Sequence, residues 1–270
     1  MLKLAKYLAL AIAIAAPAKA GNSGLRSLIT GDDGRGWEAV GRLNMGDRSF
    51  CTGAMIAENL VLTAGHCLFD KETGQRIDAS EIEFLAGWRS GRASAYRGVR
   101  RVIVHPEYQF AGKNAQHRVR YDLAILELDR PIRSASIQPF ATHAQPAKGA
   151  EVGVVSYAHD RAESPSLQEA CNVLARQSGA LILSCNVDYG SSGAPVFIIV
   201  NGVPQIVSVV SAKAMARDVP VSLGTSLEGP LSDMMAMLAQ SDGVFSRPSP
   251  VIRVVSPSGD QGTGAKFLRP

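Results

Sequence analysis

Many short β-rich runs, set between frequent turn signals and with few long helical periods, predict an all-β fold of the barrel or sandwich kind. The Asn201-Gly202 step between two such runs is a specific hairpin signal. A single amphipathic helix near residue 235 completes the pattern.

Taken in order, residues 1–20 stand apart from the fold. Lys3 and Lys6 precede an apolar run from Leu8 to Ala16, and Ala18-Lys19-Ala20 is a small-x-small cleavage site, which together read as a secretory signal peptide. The apolar core is too short for a comfortable membrane span. Residues 21–36 are rich in Gly, Ser, Asp and Arg and are expected to form a loose lead-in. Alternation over 37–43 predicts a first strand, and 50–56 with 60–64 predict a hairpin feeding His66. Further strands are expected at 82–86, 97–104, 123–128, 151–157, 180–185, 196–200, 205–211 and 221–225. Pro230 opens the helix expected over 230–240, with Leu231, Met234, Met235 and Leu238 on one face. Residues 241–270 turn to Ser, Pro, Gly and Arg and predict a flexible tail, with Val251, Ile252, Val254 and Val255 leaving room for a short docked strand.

Composition narrows the function. The net charge is +4, but Lys3, Lys6 and Lys19 lie in a leader without acids, so the remaining chain carries +1. That is no electrostatic footprint for nucleic acid. Four cysteines in an exported chain favour two disulfides. Cys51 with Cys67 and Cys171 with Cys185 is the favoured pairing, each pair being close in sequence and beside a segment singled out below. No CxxC pair is present, so a zinc site is not expected; nor is any other metal or a cofactor expected.

The chemistry gathers at Asp188-Tyr189-Gly190-Ser191-Ser192-Gly193-Ala194-Pro195, just before an apolar strand. A serine between flexible glycines is free to face solvent, yet its hydroxyl is a poor nucleophile unless a base takes its proton and a third group fixes that base. Upstream, Thr63-Ala64-Gly65-His66-Cys67 offers the base, and Asp122-Leu123-Ala124-Ile125-Leu126 offers the carboxylate. These three motifs, in the order His, Asp, Ser, resemble those of the chymotrypsin-like (trypsin-like) serine peptidases over roughly residues 27–240.

The resemblance implies a fold of two six-stranded antiparallel β-barrels, about 27–140 and 141–240 within a peptidase domain 21–240, with the site between them. It also implies roles: His66 as general base then acid, Asp122 as orienting carboxylate, Ser192 as the acylated nucleophile, and the Gly190 and Ser192 N–H groups as oxyanion hole. Cys51–Cys67 would sit beside the histidine, and the Ser211 hydroxyl would help hold Asp122. Counting back six positions from Ser192 gives Asn186 at the specificity-pocket floor with Val187 beside it, and Val210 and Lys213 on the facing strand. None is an acid, so a small, apolar or acidic substrate side chain is expected in place of Lys or Arg. Asp188 is a nearby complication.

Ser191 and Ala194 depart from the commonest family pattern and look more like the bacterial branch that includes the glutamyl endopeptidases. Ser191 offers no carboxylate to a newly cut N-terminus, so activity is expected not to depend on one, although Arg26-Ser27 is a plausible processing site. The expected protein is thus a secreted or periplasmic serine endopeptidase acting on protein or peptide, with no nucleic-acid or membrane partner after leader removal. A non-catalytic binding protein on the same fold, and an esterase or acyl-transfer enzyme with the same triad, are the alternatives. His105 is expected in a surface turn, His117, His143 and His159 lack a ligand pattern, Asp32-Asp33 reads as a solvated turn, and Arg100-Arg101 and residues 118–120 read as solvated faces.

Overall fold

The computed structural model describes residues 24–46, 49–240 and 245–246. The expected leader and all but two residues of the expected tail lie outside the described residues. The strands are β1 (Arg26–Ser27), β2 (Val40–Met45), β3 (Ser49–Ala57), β4 (Leu60–Thr63), β5 (Ile82–Ala86), β6 (Ala95–Val104), β7 (Ala124–Leu128), β8 (Glu151–Ala158), β9 (Arg161–Gln177), β10 (Ala180–Leu183), β11 (Pro195–Val200), β12 (Val203–Ala216), β13 (Val219–Ser226) and β14 (Phe245–Ser246). Helix α1 (Ala115–Tyr121) precedes β7, and α2 (Pro230–Gln240) follows β13.

Two antiparallel rings result. The first runs β6-β5-β2-β3-β4-β7 and closes through β6 with β7; the second runs β9-β10-β13-β12-β11-β8 and closes through β8 with β9. Closure removes the open edges that a flat sheet would expose. Register shifts between Val99 and Arg101 and between Val152 and Val154 fall on the closing pairs, where bulges bend a strand around the corner.

Each ring is clasped by a segment from the far end of the chain. β1 pairs with β9 of the second ring, and Leu28, fully buried, donates its N–H to Pro165 O at 2.8 Å. The lead-in expected to be loose is therefore anchored, because a two-residue ladder and one buried leucine suffice to order it. At the other end α2 buries Met234 in the core of the first ring, and β14 adds to β6. No helix among the described residues is long and apolar enough to cross a membrane.

Two further elements were not expected from sequence. β9 begins Arg-Ala-Glu-Ser-Pro-Ser, poor in β-formers, and is ordered by ladders to β8, β10 and β1 rather than by its own propensity. α1 is two turns long, capped by Asn114 Oδ1 accepting from the His117 N–H, and is too short to show a hydrophobic period. His105 is also not in an exposed turn: it is 3% exposed, with its ring stacked on Tyr121. Nor are Arg100 and Arg101 simply solvated, since both pair with the buried carboxylate of Glu127.

Candidate active site

His66 lies in a 3-10 turn, Gly65–Leu68, directly after β4, and a disulfide joins its neighbour Cys67 to Cys51 on β3. Asp122 is the C-terminal cap of α1 and is 3% exposed. Gly65 permits their approach, since a Cβ there would meet Asp122 Oδ1 and the Leu123 backbone at 3.3 Å.

The Asp122 carboxylate is fully engaged. Oδ1 accepts the His66 backbone N–H at 2.7 Å, and Oδ2 lies 2.7 Å from His66 Nδ1. An ionised carboxylate only accepts, so Nδ1 carries the proton, and in the neutral ring Nε2 keeps its lone pair. Ser211 Oγ donates to Oδ2 from the second ring. The register of β12 against β13 shifts between Val210 and Ala212, which makes Ser211 the bulged residue and turns its hydroxyl inward. Thr225 Oγ1 on β13 donates to Val119 O at 2.7 Å and approaches Asp122 O at 3.2 Å, fastening the end of α1 to the same ring.

Ser192 sits in the turn before β11 and shares with His66 a cavity of 350 Å³. Two glycines shape that turn. Gly193 has φ +78°, and a Cβ on it would lie 2.1 Å from Thr63 Oγ1; Gly190 has φ +95°, and a Cβ would strike Phe50 at 2.4 Å. Both the left-handed backbone and the close approach require glycine.

The backbone N–H groups of the turn divide into two sets. Ser191 N–H is spent on Asp188 O at 2.9 Å, and Gly193 N–H on Val210 O at 2.8 Å. Gly190 and Ser192 N–H find no acceptor among the described residues. The Tyr189 carbonyl accepts from His159 N–H at 2.7 Å, so across the planar trans peptide the Gly190 N–H points the opposite way. Thr52 of β3 braces the turn from the first ring: its N–H donates to Ser192 O at 2.8 Å and its hydroxyl to Gly190 O at 2.9 Å. Sequence reading missed Thr52, whose only signal is its place beside a half-cystine.

Of the expected pocket residues, Val187, Val210, Ser211 and Lys213 line the cavity with Ser192. Asn186 does not: it is exposed, with its N–H on Gln168 Oε1, so the count of six positions lands one residue short of the wall. Asp188 lines the cavity instead, together with Lys71 and Tyr189. The Tyr189 N–H, and then Lys213 Nζ at 3.5 Å, hold the Asp188 carboxyl below its ordinary range. Lys71 lies over the Tyr189 ring. An adjoining apolar cleft of 490 Å³ runs past His66 between Tyr108, Phe110 and Leu223. Cys51, His66 and Cys67 bring potential metal ligands together, but the two sulfurs share the disulfide and neither is a thiolate. The second disulfide, Cys171–Cys185, joins β9 to the segment after β10.

A family model described as Trypsin matches residues 30–218. The serine proteinase stubble of Drosophila melanogaster is 36% identical over 97 residues, which are 36% of this chain and 11% of that protein. A trypsin of Saccharopolyspora erythraea is 31% identical over 93 residues, 34% of this chain and 36% of the relative. A glutamyl endopeptidase of Bacillus licheniformis is 25% identical over 150 residues, 54% of this chain and 45% of the relative. The chain thus spans less than half the length of each. Among solved structures, a Glu endopeptidase in complex with MPD superposes with a TM-score of 0.62 at 17% identity, over 76% of this chain and 91% of the other, which speaks for the fold.

Proposed function

The chain belongs to the trypsin family, and from that premise we propose that it is an exported serine endopeptidase working through Ser192, His66 and Asp122. The observation that carries this reading is the fully engaged Asp122 carboxylate holding His66 Nδ1, beside a cavity that His66 and Ser192 share. Export rests on the leader-like residues 1–20 together with two disulfides and no free cysteine among the described residues.

In this reading His66 Nε2 takes the Ser192 proton as Oγ attacks the peptide carbonyl carbon. The developing oxyanion meets the unspent N–H groups of Gly190 and Ser192. His66 then gives its proton to the leaving amine as the C–N bond breaks. Water, deprotonated by the same imidazole, releases the acyl group from Ser192. Asp122 stays ionised throughout and stabilises the imidazolium.

The cavity offers apolar walls from Val187 and Val210, and its one carboxylate, Asp188, is matched by Lys213 with Lys71 in addition. That balance favours a small, apolar or acidic side chain on the acyl side of the cut over Lys or Arg, in keeping with the glutamyl endopeptidase among the relatives. Fluorophosphonate labelling followed by mass spectrometry should place the adduct on Ser192, and a peptide library should outcompete simple esters. Labelling that survives Ser192→Ala would sink the nucleophile. Ester turnover without peptide turnover would replace the peptidase by an esterase, and cleavage after Arg that Asp188→Ala abolishes would overturn the specificity.

A further inference from the structure

Behind the nucleophile turn lies a buried polar cluster that the chemistry above does not use. Ser191 is fully buried. Its Oγ lies 3.0 Å from Tyr157 O and 3.2 Å from Ser156 Oγ, and accepts the Asp188 N–H at 3.3 Å. Arg161, the first residue of β9, enters the cluster from the β8–β9 hairpin with a side chain 13% exposed. Its Nη2 lies 3.4 Å from both Ser191 Oγ and Ser156 Oγ, while Nη1 meets the exposed Asp160 carboxylate at 3.0 Å. Nε is buried with no acceptor among the described residues.

A guanidinium has five N–H donors and no acceptor. Facing two neutral hydroxyls, it requires each to present a lone pair, and Ser191 is left to send its single proton toward Tyr157 O or Ser156 Oγ. The rotor of Ser191 is then fixed by charge-assisted contacts. Because Ser191 N–H is tied to Asp188 O, both ends of this residue are anchored, and the peptide that follows it carries the Ser192 N–H. A side chain buried at this desolvation cost, with one donor orphaned, is poorly explained as a stabilising pair.

We propose that Arg161 is a positioning residue: it locks the Ser191 hydroxyl and, through it, aims the Gly190 and Ser192 N–H groups into the cleft from within the chain. The inference rests on the role proposed for Ser192, but part of its test does not. The cation is supplied by the β8–β9 hairpin, so the turn is ordered without a charge brought in from a new chain end.

The test is a double-mutant cycle between Arg161→Gln and Ser191→Ala, with Arg161→Lys as the conservative rescue. Arg161→Gln should lower kcat about tenfold, less than the ~10²–10³ of removing an oxyanion donor outright, with KM nearly unchanged. Arg161→Lys should recover part of the loss, and Arg161→Gln in the Ser191→Ala background should add little. Hydrogen exchange at residues 188–193 should accelerate in Arg161→Gln while the β10–β13 ladder keeps its protection. Additive losses, or unchanged exchange in that turn, overturn the proposal. If the wild-type protein cleaves no peptide, the peptidase reading falls and the exchange data alone decide the role of Arg161. Should Arg161→Gln not fold, exchange at residues 188–193 in Arg161→Lys and Ser191→Ala decides in its place: faster exchange supports the lock, and unchanged exchange overturns it.

Discussion

The two rings differ in what they bury and in what they supply. The first packs Leu43, Met55, Leu62, Phe84, Ile103 and Ile125, and its core also takes in Tyr157, Leu167 and Phe197 from the second. The second keeps a narrower core of its own, mostly valine, built around the Cys171–Cys185 bridge. His66 and Asp122 come from segments that adjoin β4 and β7 of the first ring, while Ser192, the unspent N–H groups and most of the cavity wall come from the second. Yet Ser211 completes Asp122 from the second ring, and Thr52 braces the Ser192 turn from the first. Each half therefore holds in place residues of its partner as well as its own, and the candidate site lies at the joint between them.

The comparison breaks first at the carboxylate. Asp122→Asn preserves the shape but offers Nδ1 an amide, which favours the wrong imidazole tautomer, and kcat should fall by about 10⁴. Thermal stability should change far less. A loss below roughly tenfold would mean that the first ring does not set the state of the base.

The bridges sharpen it next. Cys51–Cys67 and Cys171–Cys185 span 16 and 14 residues, so each is expected to contribute about 3 kcal/mol in the chain-entropy model. Replacing either pair by alanine should lower Tm by a similar amount. Activity measured well below Tm should separate them, because Cys67 adjoins His66 in the 3-10 turn, whereas Cys171–Cys185 sits within the second core. Equal kcat in the two variants would show that the first bridge serves stability alone.

How far the sequence reaches depends on whether local preference and tertiary need agree, in either ring. Elements with strong β-formers and turn signals, such as β5 over Ile82–Ala86, and α2 over Pro230–Gln240, were legible to the residue because local preference and tertiary need agree. β9 was not, since its polar start becomes a strand only when β1 and β8 flank it. At the site, His66, Ser192, Val187, Val210, Ser211 and Lys213 line one cavity and Asp122 reaches it through His66, whereas Asn186, placed by counting back from Ser192, does not line it. The braces Thr52, Ser156 and Arg161 carry no motif: they matter through contacts 30 to 138 positions away along the chain, which no local pattern records.

The smallest effect concerns His105, which joins the first ring to its α2 clasp. Its Nδ1 accepts the Glu107 N–H at 3.2 Å, so in the neutral ring the proton sits on Nε2, which has no acceptor among the described residues and lies 3.9 Å from Asp233 of α2. Burial pushes the imidazole pKa below its ordinary value, against the pull of Asp233 and Glu107 and with a small push from His117. The unfolded chain, titrating at about 6.5, then binds more protons than the folded one across the window between the two values. Stability is therefore whole above that pH, declines as pH falls through it, and stops changing through this residue below the folded value. Asp188 acts in the same sense from the carboxylate range: its contribution is present at neutral pH and is lost as pH falls through its own depressed value. Tm measured from pH 8 downward should thus slope below about 6.5 in the wild type and flatten in His105→Gln, with kcat at neutral pH unchanged. A wild-type Tm that stays level, or an equal slope in the variant, would show that burial at the clasp does not hold His105 neutral.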